Sequence, residues 1–94
     1  MHEMAIALAL IEQAEKVARE QNARAIPGIT VVVGRLSGTD PDALRAVFEL
    51  AAEETLAAGA TLTVDMAAGR ELYIKSMDVD VEEGEEVRGE ALNV

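Results

Sequence analysis

The run of residues 29–33, Ile-Thr-Val-Val-Val, constrains the fold of this chain more than any other stretch. All five residues are β-branched, and Thr30 alone is polar. A strand that is apolar on both faces is typical of the covered, central strand of a sheet. Segments with helical periodicity lie before and after this run, so we expect a sheet that is covered by helices.

The first helix is predicted from Glu3 to about Asn22. Apolar residues recur there at spacings of three, four and seven, which gives one wide apolar face. Pro27 and Gly28 then interrupt the chain ahead of the strand.

The second helix follows the strand and is clearly delimited in the sequence. Asp40 is predicted as its N-cap, Pro41 occupies the first helical position, and Gly59 lies just beyond the last periodic residue.

Two alternating segments follow the second helix. Residues 61–66 alternate cleanly, and residues 71–81 alternate with a shift of phase between Ile74 and Met77, which indicates a bulge. The two strands that flank the second helix are expected to be parallel, and the short link AAGR predicts a hairpin between the last two strands. The predicted fold is α/β (α+β): a two-layer sandwich in α-β-α-β-β order, with a three-stranded mixed sheet packed by two helices.

Composition excludes several classes of function. The formal net charge of −10 argues against nucleic acid and against anionic membranes as partners. The chain has no cysteine, so thiolate catalysis and thiolate zinc sites are excluded. We find no signal peptide and no apolar run of membrane-spanning length, and we therefore expect a cytoplasmic protein.

Catalysis is not expected, because no nucleophile can be matched with a base. Ser37 and Ser76 lack an elbow motif, and the loop GRLSG lacks the lysine of a phosphate-binding loop.

The N-terminus carries the one chemically suggestive pattern, because the single histidine of the chain is His2. The terminal amine, the backbone nitrogen between Met1 and His2, and the imidazole can close fused chelate rings on one metal ion. Glu3 can add a backbone nitrogen or a carboxylate oxygen. Such a nitrogen-rich set suits Ni(II) or Cu(II). A solvated imidazole with no role is the alternative.

Four stretches together resemble the HypA family of nickel metallochaperones, which serve [NiFe]-hydrogenase and, in some bacteria, urease. They are MHEMAIALALIEQAEKVAREQNA, ITVVVGRLSG, PDALRAVFELAAEETLAAGATLTV and GRELYIKSMDVD. The resemblance covers roughly residues 1–80, which we take as a HypA-like nickel-binding domain, and leaves residues 81–94 as an acidic tail. It implies that Met1, His2 and Glu3 bind nickel. It also implicates Asp40, for which a purely capping role is the alternative.

The resemblance also shows what this chain lacks. Family members insert a zinc module with two Cys-x-x-Cys pairs before the last strand, and here AAGR stands in its place, so no zinc is expected. The resemblance implies a HypB-like GTPase and the hydrogenase large subunit as partners. Two alternatives stay open: a protein-interaction module with no physiological metal, and an engineered minimal domain. The exposed strand edges also leave a homodimer open.

Overall fold

The elements occur in the predicted order. The computed structural model describes residues 2–81, so the predicted acidic tail lies, apart from Val81, outside the described residues. Helix α1 spans Glu3–Glu20, strand β1 Ala23–Gly34, helix α2 Pro41–Ala51, strand β2 Thr61–Ala67 and strand β3 Leu72–Val81. Within residues 2–81, neither helix is long and apolar enough to cross a membrane.

Strand β1 is the central strand, as predicted from its β-branched run. It pairs in parallel with β2 on one side and antiparallel with β3 on the other. The predicted hairpin between β2 and β3 is therefore wrong: the two strands run in opposite directions, but β1 lies between them. The most apolar strand takes the central position, where it is covered best.

The link between β2 and β3 reaches across the end of β1. Ala67 accepts a hydrogen bond from the Arg35 N–H (2.8 Å), and Gly69 accepts one from the Leu36 N–H (2.8 Å). At the far side of the link, the Gly34 N–H donates to the Glu71 carbonyl (2.7 Å). The end of β1 thus fastens the crossover in place.

Strand β1 begins earlier than predicted, at Ala23, and runs through Pro27. The chain tolerates a proline there because the ladder with β3 is irregular, with register shifts on both sides of Ala25. The bulge predicted in the last strand is confirmed: Thr30 lies opposite Ser76 but Val31 lies opposite Ile74.

Helix α2 ends at Ala51, well before the predicted end near Gly59. Glu54 adopts a left-handed φ of 65°, which an α-helix does not allow. The Thr55 hydroxyl donates to the Ala52 carbonyl (2.6 Å) and accepts from the Ala57 N–H (3.0 Å). A threonine that bonds the neighbouring backbone in this way competes with helical hydrogen bonds and favours the turns seen here.

Both helices pack on one face of the sheet and run side by side in the same direction. The Asp40 N–H, just before α2, bonds to Glu3 at the start of α1, and the Leu56 N–H, beyond α2, bonds to Glu15 further along α1. The core between the layers is almost wholly aliphatic. Its largest fully buried side chains are Ile26, Ile29, Leu44, Val31 and Val33.

The opposite face of the sheet is polar. Val32 nonetheless has only 7% of its surface exposed there. Its neighbour on β2 is Asp65, whose carboxylate forms an ion pair with Lys75 on β3 (3.1 Å). This ion pair joins the two edge strands across β1, on the face that the helices leave open.

Candidate metal site at the N-terminus

His2 lies at the N-cap of α1 and faces solvent. Its carbonyl accepts the Ile6 N–H (3.0 Å), which opens the helix, while its side chain makes no capping hydrogen bond. The residue has φ −112° and ψ 45°, outside the helical region. The helix therefore fixes the backbone of His2 and leaves the imidazole exposed.

Glu3 is buried, with 9% of its surface exposed. Its Oε2 accepts a hydrogen bond from the Asp40 N–H (3.0 Å). The N-terminal ammonium group and this N–H stabilise the ionised carboxylate, and they lower the pKa of Glu3 from 4.5 to about 2, against the opposing effect of burial. Glu3, which is ionised at neutral pH, thus joins the start of α1 to the start of α2.

Asp40 is the N-cap of α2, as predicted. Its Oδ1 accepts from the N–H groups of Asp42 (3.0 Å) and Ala43 (3.5 Å), and Pro41 follows at the first helical position. These are the two N–H groups that an N-cap aspartate usually satisfies. The Asp40 carboxylate is therefore committed to the helix.

The structure brings Glu3 and Asp40 together, but through a backbone N–H and not through two carboxylates facing one point. Within residues 2–81, no three or more side chains of His, Cys, Asp or Glu form a cluster that could hold a metal ion. A site at His2 would therefore have to draw on the amine and backbone nitrogens of the chain end. Met1 lies outside the described residues.

The structural role of Glu3 was not predicted from the sequence. An acidic residue in the first turn of a helix favours the helix dipole, and this local signal is present in the sequence. The contact to Asp40, however, joins residues that are 37 positions apart. Such a contact cannot be read from spacing within one helix.

The architecture defines a small two-layer α/β domain with an exposed histidine at one end of its first helix. Comparison with known proteins gives the family. The model of the family described as "Hydrogenase/urease nickel incorporation, metallochaperone, hypA" matches residues 1–70. The chain therefore belongs to the HypA family. That description names a metallochaperone and no catalysed reaction, in agreement with the expectation that the protein is not an enzyme.

Two curated relatives show how much of the family this chain represents. The hydrogenase maturation factor HypA of Chlorobaculum tepidum is 44% identical over 70 residues, which are 74% of this chain and 62% of the relative. That of Deinococcus radiodurans is 46% identical over 69 residues, 73% of this chain and 58% of the relative. The chain thus spans about three-fifths of the length of these relatives.

A solved structure supports the fold. The solution structure of the Ni metallochaperone HypA from Helicobacter pylori matches with a TM-score of 0.76, covering 87% of this chain and 100% of that chain at 20% identity. The family model ends at residue 70, short of the residue 80 that the sequence resemblance suggested. Strand β3 lies beyond that limit and still completes the sheet.

Proposed function

We propose that this chain binds Ni(II) at its N-terminal Met1-His2-Glu3 segment and holds it for delivery during [NiFe]-hydrogenase maturation. The observation that carries the proposal is the solvent-exposed His2 at the N-cap of α1, in a chain whose residues 1–70 match the HypA family model.

Three nitrogen atoms of the first two residues form the core of the proposed ligand set. They are the Met1 amine, the backbone nitrogen of His2 and its imidazole, which together close fused chelate rings. Nickel(II) accepts such nitrogen donors in square-planar or tetragonal geometry. The proposal requires a free amine on Met1. It also requires deprotonated ligands, so nickel affinity falls as the pH is lowered.

Glu3 and Asp40 belong to the site as residues that position the chain end. The Glu3 carboxylate anchors the first turn of α1 beside α2, and His2 is held one residue away. The Glu3 Oε2 accepts the Asp40 N–H, and a ligand bond that took this oxygen away would leave a donor unsatisfied at a cost of about 1–3 kcal/mol. The Asp40 Oδ1 likewise caps α2. We therefore place the nickel on the nitrogens and let Glu3 contribute, if anything, its backbone nitrogen.

Delivery is the second half of the proposal. Ligands at an exposed chain end can be exchanged one at a time, so a recipient can take the ion without unfolding the domain. By family resemblance the partners are a HypB-like GTPase and the hydrogenase large subunit, in the cytoplasm. The short crossover of residues 67–71 stands where the resemblance places the zinc module, and we propose that this chain binds nickel without zinc.

Nickel titration of tag-free protein tests the site. We expect His2→Ala to weaken Ni(II) binding by at least about 10- to 100-fold in calorimetry and to abolish the visible absorption of planar nickel. Glu12→Ala removes an exposed charge from the same helix and serves as the matched control, with unchanged stoichiometry. Equal affinities of wild type and His2→Ala would refute the site. Mass spectrometry must first show that Met1 is retained and unblocked.

A further inference from the structure

The open face of the sheet, opposite the helices, carries a polar pocket over Gly28. Strand pairing sets Gly28 on β1 between Thr61 on β2 and Asp78 on β3. The next row on the same face consists of hydroxyl side chains only: Thr63, Thr30 and Ser76. The two rows, with the backbone beside them, line a space of about 180 Å³, which we name the Gly28 pocket.

The pocket exists because residue 28 is a glycine. A Cβ added there would lie 3.0 Å from the Asp78 Oδ2 and 3.7 Å from the Thr61 carbonyl oxygen. The Asp78 carboxylate therefore lies beside the space that a larger residue would fill. It forms one wall of the pocket, and the side chains of Thr30 and Ser76 form another.

Asp78 differs from the other two aspartates of the edge strands, because each of those already has a cation. Asp65 forms an ion pair with Lys75 (3.1 Å), and Asp80 forms one with Arg24 (3.7 Å). Within residues 2–81, no cation or hydrogen-bond donor pairs with the Asp78 carboxylate, and the pocket hydroxyls form no side-chain hydrogen bond. The pocket thus holds several oxygen acceptors that this part of the chain does not use.

A carboxylate beside a row of hydroxyls fits a primary ammonium group. An ammonium donates three hydrogen bonds in different directions, and two such bonds of about 2.8 Å join oxygens about 4.5 Å apart. Side chains on neighbouring strands are separated by a similar distance, about 4.5–5.5 Å between Cβ atoms. A guanidinium group instead pairs best with both oxygens of one carboxylate in one plane. The acceptors of the pocket come from several side chains, so they favour the ammonium.

We propose that the Gly28 pocket binds the ammonium group of a lysine side chain on a basic partner protein. The pocket is smaller than the roughly 300–1,000 Å³ of sites that enclose whole small molecules, and it suits the end of one side chain. The chain has a net charge of −10, which attracts a basic partner.

The surface beside the pocket favours a protein as the source of the lysine. Tyr73 lies on the same face, opposite Val32, and has 51% of its surface exposed. Exposed tyrosines are enriched in protein interfaces, because the ring contributes a large contact area. The pocket lies near the start of β1 and away from both helices, so a partner bound there leaves His2 accessible.

Titration with a lysine peptide tests the pocket. The probe is the blocked tripeptide Gly-Lys-Gly, added to ¹⁵N-labelled, metal-free protein at low ionic strength. We expect saturable shifts of the backbone amide signals of Gly28, Thr30 and Asp78. Asp78→Asn should weaken binding at least about 5-fold, because it removes the charge that pairs with the ammonium. Asp80→Asn removes the same charge two residues away and should weaken binding less than about 2-fold. Equal losses would show only a general attraction to an acidic chain and would overturn the proposal.

Two variants without a change of charge test the shape of the pocket. Gly28→Ala places a Cβ in the pocket and should weaken binding at least about 5-fold. Thr30→Val removes one acceptor at nearly constant volume and should weaken binding by about 2- to 10-fold, which keeps the test decisive if Gly28→Ala does not fold. Unchanged binding by the folded variants would refute the pocket as the site.

Three further probes identify the ligand class. The same tripeptide with norleucine should give no saturable shifts, and the arginine tripeptide should bind at least about 5-fold more weakly than the lysine tripeptide. Ca²⁺ should not shift these signals saturably, because one carboxylate is a poor calcium site. Arginine or Ca²⁺ binding that equals lysine binding, or no saturable shift with the lysine tripeptide, would exclude the proposal. Nickel is left out of these titrations, so a negative result does not bear on the nickel site.

Discussion

The crossover between β2 and β3 packs so closely against Gly34 that it requires a residue without a side chain at this position. Gly34 ends β1, and the crossover passes close against it. A Cβ added at Gly34 would overlap the Gly69 carbonyl oxygen and lie 2.6 Å from the Glu71 backbone nitrogen. Both are backbone atoms and cannot swing aside like the end of a flexible side chain. We therefore predict that Gly34→Ala strongly destabilises the domain.

The expected loss in the free energy of unfolding can be estimated from the hydrogen bonds that hold the crossover and from the cost of overpacking. Three backbone hydrogen bonds hold it, at 2.7 to 2.8 Å, and each contributes about 1 kcal/mol net. Overpacking in a closed site costs about 1–3 kcal/mol by itself. If the overpacking also breaks one of the three hydrogen bonds, the loss is about 3 kcal/mol, a large part of the roughly 5–14 kcal/mol available to a domain of 94 residues. The melting temperature should fall by about 12–24 °C.

Gly38→Ala is the matched control. Gly38 has φ +82°, so alanine is strained there, but an added Cβ meets nothing within 4 Å. This variant should lose only about 1–2 kcal/mol. Urea unfolding followed by circular dichroism measures both. If Gly34→Ala costs no more than Gly38→Ala, the close approach of the crossover to β1 is wrong.

Further predictions concern the N-terminal site and metal removal. Asp40→Ala should lower the free energy of unfolding by about 1 kcal/mol through loss of the α2 cap, with nickel affinity unchanged in the same titration; a large loss of affinity would make Asp40 a ligand. Because its folded pKa is about 2, ionised Glu3 contributes stability that is fully present above pH 4.5 and is lost as the pH falls towards 2. Acid titration of Glu3→Gln should therefore show a shallower loss of stability over this range, and identical profiles would contradict the proposed contact. Excess chelator should leave the thermal midpoint unchanged, since the core is built from aliphatic contacts; a fall would reveal a structural metal.

Local patterns in the sequence predicted which helices and strands form, but they did not predict which strands lie side by side. The β-branched run at residues 29–33 predicted a central strand, and the phase shift between Ile74 and Met77 predicted a bulge, because both effects arise within one strand. The prediction of a hairpin was wrong because the alternation of polar and apolar residues shows which face of the sheet a residue occupies and not which strand lies beside it. A four-residue link permits a hairpin, but here the backbone of residues 34–36 binds it across the end of β1.

The end of α2 was missed for a different reason. Periodic apolar residues continue past Ala51, and the buried Ala52 and Ala57 account for this pattern without a helix. The Thr55 hydroxyl and the left-handed Glu54 decide the backbone there. Side-chain hydrogen bonds of this kind compete with helical hydrogen bonds, and the free-energy difference between the two is small. The spacing of apolar residues gives no information about this difference.

The candidate site shows the same division between local and long-range information. The Asp40 cap was predicted from residue type and position, and the structure confirms it; the structure shows His2 exposed at the N-cap of α1. The proximity of the N-terminal segment to Asp40 cannot be predicted from the sequence, because it depends on the hydrogen bond that Glu3 accepts from the Asp40 N–H. That bond connects the start of α1 to the loop that leaves β1, and the same loop carries Leu36, which bonds the crossover at Gly69. The N-terminal segment and the crossover are thus both hydrogen-bonded to the one loop that joins β1 to α2.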